Sequence, residues 1–121
     1  MKKILVVDDN LDILEILQIA FEGRGYEVFT LSDGEKVLES IRQFLPGIIL
    51  LDVFLGGTNG TIICSEIKAN PDTKHIPVIM FSAHSNAETI LKTCPADGFV
   101  GKPFNIFELT GLIESHLDEV E

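Results

Sequence analysis

The chain of 121 residues has little cysteine, little positive charge and no long apolar run. Its two cysteines, Cys64 and Cys94, form no Cys-x-x-Cys or Cys/His cluster, which argues against a zinc site or a redox pair and favours a reducing, cytoplasmic setting. Nine basic residues against nineteen acidic ones give a formal charge of -10. That charge has the wrong sign for direct nucleic-acid binding.

Apolar segments are too short for a membrane span, which needs roughly 18 consecutive apolar residues. The N-terminal run from Ile4 to Val7 stops at Asp8, short of the roughly 7 to 15 residues of a signal-peptide core. We therefore expect no membrane association and no export by that route. Hydrophobic residues nevertheless make up 45% of the chain, enough for one core, so residues 1–121 are expected to form a single domain.

Short apolar runs alternate along the chain with segments of helical periodicity. Five runs are predicted to be strands: Ile4 to Val7, Val28 to Phe29, Ile48 to Leu51, Val78 to Phe81 and Phe99 to Val100. Three of them are long and apolar throughout, as strands buried on both faces of a parallel sheet must be. Alternation of this kind predicts an α/β fold with helices covering both faces of the sheet.

The segments between the runs carry apolar residues three and four positions apart, which predicts amphipathic helices. The residues expected on the apolar faces of the first, second and last helices are Leu14, Leu17, Phe21; Val37, Leu38, Ile41, Leu45; and Leu109, Leu112, Ile113, Leu117. A third helix is expected from about Thr61 to Ala69, and a poorly patterned fourth, from Asn86 to Thr93, is expected to be the most mobile element. The phenylalanines are expected in the core.

Helix boundaries carry recognisable residue types. Ser32 with Glu35, Ser85 with Glu88 and, more weakly, Asn105 with Glu108 have the spacing of capping boxes. Pro46-Gly47 and Asn70-Pro71 are expected to end the second and third helices. A (βα)5 chain with right-handed crossovers and short connections predicts a doubly wound, flavodoxin-like parallel sheet.

Polar residues follow the apolar runs where ligands bind in such sheets, at the carboxyl ends of the strands. They are Asp8 and Asp9 after the first run, Asp52 after the third, Ser82 after the fourth and Lys102 after the fifth. Each has a simpler interpretation when taken alone: Asp8 and Asp9 as helix caps, Asp52 as a loop acid, Ser82 as a helix-entry hydroxyl and Lys102 as a surface charge. Their coincidence at one sheet edge argues for a site.

Three neighbouring carboxylates repel one another unless a cation lies among them, and few hard oxygen ligands suit Mg²⁺. Lys102 could pair with a carboxylate at rest and with a phosphoryl oxygen after reaction, while the Ser82 hydroxyl donates to another oxygen. This inventory fits phosphoryl transfer to an aspartate. The spacing alone leaves open which aspartate is the nucleophile.

The motifs together resemble the receiver domain of two-component response regulators over essentially the whole chain. The blocks are Val7-Asp8-Asp9-Asn10, Leu50-Leu51-Asp52 with Gly60 further on, Pro77-Val78-Ile79-Met80-Phe81-Ser82-Ala83, and Ala96-Asp97-Gly98-Phe99-Val100-Gly101-Lys102-Pro103-Phe104. The resemblance implies strand order 2-1-3-4-5. It also implies that the chain is a phospho-acceptor regulatory domain that promotes only its own phosphorylation and dephosphorylation.

Individual roles follow from the same resemblance. Asp52 is implied as the phosphorylation site, with Asp8, Asp9, Asp52 and the Phe54 carbonyl holding Mg²⁺ or Mn²⁺. Ser82 and Lys102 are implied to bind the phosphoryl group, Ser82 and Phe99 to form the switch, and Lys102-Pro103 to be a cis peptide. Because Phe99 lacks a hydroxyl, its coupling to the site would rest on packing.

Two departures from the family pattern stand near Asp52. Gly56-Gly57 replaces the usual proline, so a looser loop is expected, and these glycines lack the order of a phosphate-binding loop. Phe54 and His84 occupy the positions that influence phosphoryl lifetime. Since a Phe54 side chain cannot orient a water molecule, a long-lived phosphoaspartate is expected. His75, His84 and His116 have no metal-ligand spacing and are expected to be exposed.

The expected partners are a sensor histidine kinase or phosphotransfer protein and a downstream protein. A downstream partner is expected because these 121 residues are not expected to include an output domain, unless they were cut from a longer polypeptide. Nucleic acid and membrane are not expected partners, and the chain would be a monomer or a weak phosphorylation-dependent dimer. One rival is an aspartyl-phosphate phosphatase with its nucleophile after the first strand, although Asp8-Asp9-Asn10 lacks that enzyme's second acid. Another is a pseudo-receiver that binds partners without phosphate, against which the intact residue set argues.

Overall fold

A five-stranded parallel sheet forms the centre of the molecule in the computed structural model. The structure describes residues 2–82 and 92–120, and for residues 118–120 it describes the backbone only. The sheet consists of β1 (Lys3–Val7), β2 (Glu27–Leu31), β3 (Ile48–Asp52), β6 (Val78–Ser82) and β7 (Gly98–Gly101). The strand order is β2-β1-β3-β6-β7. β4 and β5 form a separate two-stranded hairpin, so β6 and β7 are the fourth and fifth strands of the sheet. The sheet therefore has the predicted order 2-1-3-4-5, and the flavodoxin-like fold is confirmed.

Helices cover both faces of the sheet and divide the core into two layers. They are α1 (Leu11–Glu22), α2 (Val37–Phe44), α3 (Gly60–Ala69) and α4 (Ile106–Val120). One layer is built from α1 and α4 and the other from α2 and α3, with Phe21 and Ile113 buried in the first and Ile41 and Ile67 in the second. Among the described residues, none of the helices has the length and apolar character that crossing a bilayer requires.

The three inner strands are buried on both faces, as their uninterrupted apolar sequences predicted. Residues 4–7, 48–52 and 78–82 are all buried, whereas the edge strands β2 and β7 are half-buried or exposed. Two of the inner strands, β3 and β6, also run one residue further than predicted, because parallel pairing carries on into their polar carboxyl ends. Asp52 pairs in register with Phe81, and Ser82 with Gly101.

Asparagine caps the N-termini of three described helices, α1, α3 and α4, and the Asn59 side chain at α3 accepts a hydrogen bond from the Thr61 backbone N–H. The Asn10 side chain accepts hydrogen bonds from the backbone N–H groups of Asp12 and Ile13, and Asn105 accepts from those of Phe107 and Glu108. The expected cap at Asn105 is confirmed. Because Asn10 caps α1, the interpretation of Asp8 and Asp9 as helix caps is wrong.

The boundaries of α2 differ from the prediction at both ends. Asp33, not Ser32, accepts a hydrogen bond from the backbone N–H of Glu35 and opens a 3-10 turn over Gly34–Lys36. The helix then ends at Phe44, because Leu45 takes a left-handed conformation with φ 56°. Its side chain is 69% exposed, so the expectation that Leu45 lies on the apolar face is wrong.

The loop expected at Gly56-Gly57 is the turn of a hairpin formed by β4 (Phe54–Leu55) and β5 (Thr58–Asn59). Gly56 has φ 63°, a conformation that favours glycine and that matches the first central position of a type II′ turn. The segment is thus backbone-paired on both sides of its glycines. The expected helix boundary at Ser85 and the mobility expected over 86 to 93 lie outside the described residues.

The expectation that the phenylalanines lie in the core is wrong for three of them. Phe21 and Phe81 are fully buried, but Phe29, Phe54 and Phe107 are 41%, 54% and 74% exposed. Phe29 lies on an edge strand and Phe54 on the hairpin, whereas Phe107 lies in the first turn of α4, off the helix face that carries the buried Leu109 and Ile113.

Gly60 begins α3 directly against the end of β3, with its N–H donating to the Val53 carbonyl at 2.8 Å. A Cβ at this position would overlap the Asp52 backbone carbonyl, which cannot move without shifting the strand end. We expect Gly60→Ala to lower the free energy of unfolding by about 2 to 3 kcal/mol, measured by chemical denaturation. Gly57→Ala is the control, since a Cβ there has open space around it. Equal stability of the two variants would contradict the close approach.

Candidate functional site

Two adjacent strands place buried carboxylates side by side at the carboxyl edge of the sheet. Asp8 directly follows β1, Asp52 ends β3, and the strands pair in parallel up to Val7 and Leu51. Asp8 is 0% and Asp52 5% exposed. One carboxylate oxygen from each of Asp8, Asp9 and Asp52 lies within 4.8 Å of the others. The structure therefore brings together the three acids singled out in the sequence.

Lys102 reaches this group from the segment that follows β7. Its Nζ lies 2.8 Å from Asp8 Oδ2 and 3.4 Å from Asp52 Oδ2. The Lys102 backbone N–H donates to the Ser82 carbonyl at 2.8 Å, which ties this segment to the end of β6. The Lys102–Pro103 peptide bond is cis. One ammonium group thus bridges two buried carboxylates.

The three carboxylates differ in how fully their oxygens are engaged. Asp8 Oδ2 pairs with Lys102, and Asp8 Oδ1 accepts a hydrogen bond from the Asn10 backbone N–H at 2.8 Å. Asp9 is exposed to solvent. Asp8 is therefore held from both sides, whereas Asp9, on the same loop, is open to solvent.

Burial raises the pKa of Asp52 to about 6 from its ordinary value of 3.8. The negative charge of Asp8 adds to the effect of desolvation, and the positive charge of Lys102 opposes both. Asp52 is thus a carboxylate whose ionised form is destabilised in the resting site. Additional positive charge at the site would favour that form.

The donor set fits a hard divalent cation. Three carboxylates face one ammonium, so the group keeps an excess of negative charge, and its ligand atoms are the oxygens that Mg²⁺ prefers. The site is also open to solvent on the side of Asp9. These features meet the requirements of an ion that keeps several of its waters.

The remaining predicted residues lie at or next to this edge. Ser82 is the last residue of β6 and 1% exposed, and Phe54, two residues after Asp52, begins the hairpin and is 54% exposed. Phe99 lies in β7, half-buried against the α2/α3 layer of the core. His84 lies outside the described residues.

Two residues of the site were not recognised as such from the sequence. The Lys102 Nζ lies 4.6 Å from the centroid of the fully buried Phe81 ring, and Asn10 both caps α1 and donates its N–H to Asp8. Asn10 could have been found from its cap position before the apolar periodicity of α1. The apolar pattern of the strand gives no sign that Phe81 contacts Lys102, because a phenylalanine at this position could simply pack in the core.

The other titratable candidates are away from this arrangement. Burial and the neighbouring Cys94 raise the pKa of the Cys64 thiol to about 12, so it stays protonated and poorly reactive near neutral pH. Both cysteines are buried, and neither forms a disulfide. His75 is exposed, as predicted, and His116 is half-buried.

The model of the response regulator receiver domain family matches residues 4–114. The DNA-binding response regulator MtrA of Mycobacterium tuberculosis is 30% identical, covering 96% of this chain and 50% of its own length. The chain spans about half the length of the curated relatives it matches.

Solved structures of receiver domains have the same fold as this chain. A CheY-like response regulator receiver domain protein from Methanospirillum hungatei JF-1 has a TM-score of 0.87 and 29% identity, covering 98% of this chain and 95% of its own. The receiver domain of a signal transduction histidine kinase from Syntrophus aciditrophicus has a TM-score of 0.91 and 27% identity, covering 100% and 93%. The chain belongs to the response regulator receiver domain family, the phospho-accepting regulatory domains of two-component signalling.

The pKa of Asp52 makes stability depend on pH in a defined direction. Because the folded protein binds the Asp52 proton more tightly than the unfolded chain does, the free energy of unfolding should rise as pH falls from about 6 to 3.8. Above that window the ionised carboxylate destabilises the fold. With a chelator present at pH 8, Asp52→Asn should therefore be more stable by on the order of 2 kcal/mol, measured by denaturant titration.

The gain should disappear below pH 4. Asp72→Asn serves as the control, because Asp72 is an exposed aspartate distant in sequence from every residue of the site, and it should show no gain. A destabilised Asp52→Asn protein at pH 8 would contradict the stated electrostatics.

Proposed function

We propose that Asp52 accepts a phosphoryl group from a phosphohistidine of a sensor histidine kinase or phosphotransfer protein, in a Mg²⁺- or Mn²⁺-dependent reaction. The observation that carries the proposal is the position of the Asp52 carboxylate. It lies 3.4 Å from the Lys102 ammonium and beside the Asp8 and Asp9 carboxylates, at the end of a central strand. Asp8 shares this burial and these neighbours, but both of its carboxylate oxygens are already engaged, one by Lys102 and the other by the Asn10 N–H.

In the proposed reaction a carboxylate oxygen of Asp52 attacks the phosphorus in line with the leaving imidazole nitrogen. The N–P bond breaks, an O–P bond forms, and the histidine nitrogen keeps the electron pair and is protonated from solvent. The product is an acyl phosphate. Catalysis of this kind is mainly positioning and neutralisation of charge on the phosphoryl oxygens. Lys102 supplies one positive charge and the Ser82 hydroxyl one hydrogen bond.

Asp8, Asp9, Asp52 and the backbone carbonyl of Phe54 would hold the metal ion, directly or through water. When bound, the ion supplies positive charge against the phosphoryl oxygens. The residues support this role in different ways. The exposed Asp9 carboxylate is available to a cation, whereas Asp8 would share its oxygens with Lys102 and the Asn10 N–H.

The response to phosphorylation is proposed to pass through Ser82 and Phe99 to a surface made by the segment before β7, by β7 itself and by α4. Phe99 packs against the core and, as a phenylalanine, would couple to the site by packing alone. Output would be binding of a downstream protein, by a monomer or a weak phosphorylation-dependent dimer. Neither direct nucleic-acid binding nor membrane binding is proposed.

We further propose that residues 1–121 form one receiver domain that works in the cytoplasm. The absence of a disulfide at the buried residues Cys64 and Cys94 supports a reducing compartment. The domain would be a regulatory phospho-acceptor that promotes its own phosphorylation and dephosphorylation and does not turn over a separate substrate. Against a phosphatase with its nucleophile after β1, Asp8 has both oxygens engaged and Asn10 is a helix cap.

Incubation with acetyl phosphate and Mg²⁺ tests the acceptor directly. The intact mass should increase by one phosphoryl group in the unaltered protein and in Asp72→Asn, and should not change in Asp52→Asn. Lys102→Ala should slow the uptake by about 100-fold or more, because the phosphoryl oxygens lose their fixed positive charge. Undiminished uptake by Asp52→Asn would overturn the proposal.

The exposed Phe54 side chain predicts slow loss of the phosphoryl group, because it offers water no hydrogen bond. Replacement of Phe54 by Asn should accelerate dephosphorylation several-fold, while Phe54→Ala should leave the rate nearly unchanged, as followed by mass spectrometry after removal of acetyl phosphate. The prediction is contradicted if Ala accelerates the loss and Asn slows it.

A further inference from the structure

The ring of Phe81 stands beside the cation of the site. Phe81 lies in β6 directly before Ser82 and is fully buried, and the Lys102 Nζ is 4.6 Å from its ring centroid. This distance is within the range in which an ammonium is attracted to the face of an aromatic ring. The same ammonium makes its ion pairs to Asp8 and Asp52.

We propose that Phe81 is a positioning residue for phosphoryl transfer, holding the Lys102 ammonium at the site through a cation–π contact that does not depend on either carboxylate. The proposal rests on the proposed function of Asp52 and Lys102. It assigns to Phe81 a role that its place in an apolar strand does not require.

The need for such a contact follows from the competition between the two ion pairs. The Lys102 Nζ lies 2.8 Å from Asp8 Oδ2 and 3.4 Å from Asp52 Oδ2, and Asp8 is the more deeply buried of the two acids. A flexible lysine held only by charge would be drawn toward whichever oxygen carried most negative charge. The ring is neutral and fixed in the sheet, so it holds the ammonium near both acids before and after the charge on Asp52 changes.

Neighbouring contacts fix the ring and the lysine relative to each other. Phe104, two residues after Lys102, packs edge-on against Phe81 with ring centroids 6.4 Å apart and an interplanar angle of 66°. The Lys102 backbone N–H bonds to the carbonyl of Ser82, the residue after Phe81. The Phe81 ring therefore contacts two side chains of the segment after β7, those of Lys102 and Phe104. Its orientation is set without the carboxylates.

A series of fluorinated phenylalanines at position 81 separates this role from simple packing. Each added fluorine weakens the negative potential of the ring face and leaves ring size nearly constant. The initial rate of phosphorylation by acetyl phosphate at saturating Mg²⁺ should fall stepwise, by about tenfold from unsubstituted to trifluorinated ring, while the Mg²⁺ affinity measured by calorimetry stays within twofold.

Phe21 is the matched control, because it is fully buried in the same core layer and contacts Tyr26 edge-on with centroids 6.1 Å apart. The same series at position 21 should change the rate less than twofold. Phe81→Leu provides a second readout, loss of the upfield ring-current shift of the Lys102 ε-methylene protons, whereas Phe21→Leu should keep that shift.

The inference is overturned if the phosphorylation rate does not change along the series at position 81, or if it falls equally along the series at position 21. It is also overturned if the Lys102 ε-methylene protons of the unaltered protein show no upfield shift. If the unaltered protein takes up phosphate at Asp52 while the series stays flat, only the role of Phe81 fails. If the unaltered protein takes up none, the proposed function fails as well.

Discussion

The pairing of one lysine with two buried aspartates is the interaction on which the site depends. Asp8 and Asp52 end up side by side because β1 and β3 are parallel neighbours whose register matches Val7 with Leu51. Two buried carboxylates at this spacing repel, and Lys102 lies 2.8 and 3.4 Å from them. Its charge offsets part of the repulsion, and the pKa of Asp52 stays raised because burial desolvates the carboxylate and the charge of Asp8 adds to that effect.

The fold serves this pairing by fixing the three strand ends independently. The Val53 N–H bonds to the Phe81 carbonyl, the Lys102 N–H bonds to the Ser82 carbonyl, and Gly60 packs against the backbone of Asp52. The two hydrogen bonds join segments that are far apart in the sequence, and the Gly60 contact fixes the start of α3 against the end of β3. The reactive groups are therefore held on backbone already committed to the sheet, which is the positioning that phosphoryl transfer requires.

Much of this arrangement could be predicted from the sequence, because buried parallel strands have uninterrupted apolar sequences and bring their polar ends to one edge. The ends of α2 could not, since Ser32 and Asp33 are both good caps and only the backbone of residues 34–36 decides between them. Leu45 is exposed because its own backbone is left-handed and ends the helix, which its apolar side chain does not indicate. The contact of Lys102 with Phe81 depended on where a long side chain turns, which strand periodicity does not encode.

We propose that the phosphoryl group is carried by the residue at the end of β3 and by neither aspartate after β1. Borohydride reduces an aspartyl phosphate to homoserine, so reduction of the phosphorylated protein followed by peptide mapping locates the acceptor. We expect homoserine at position 52, with Asp8 and Asp9 intact. Homoserine at position 8 or 9, with Asp52 unmodified, would contradict the account.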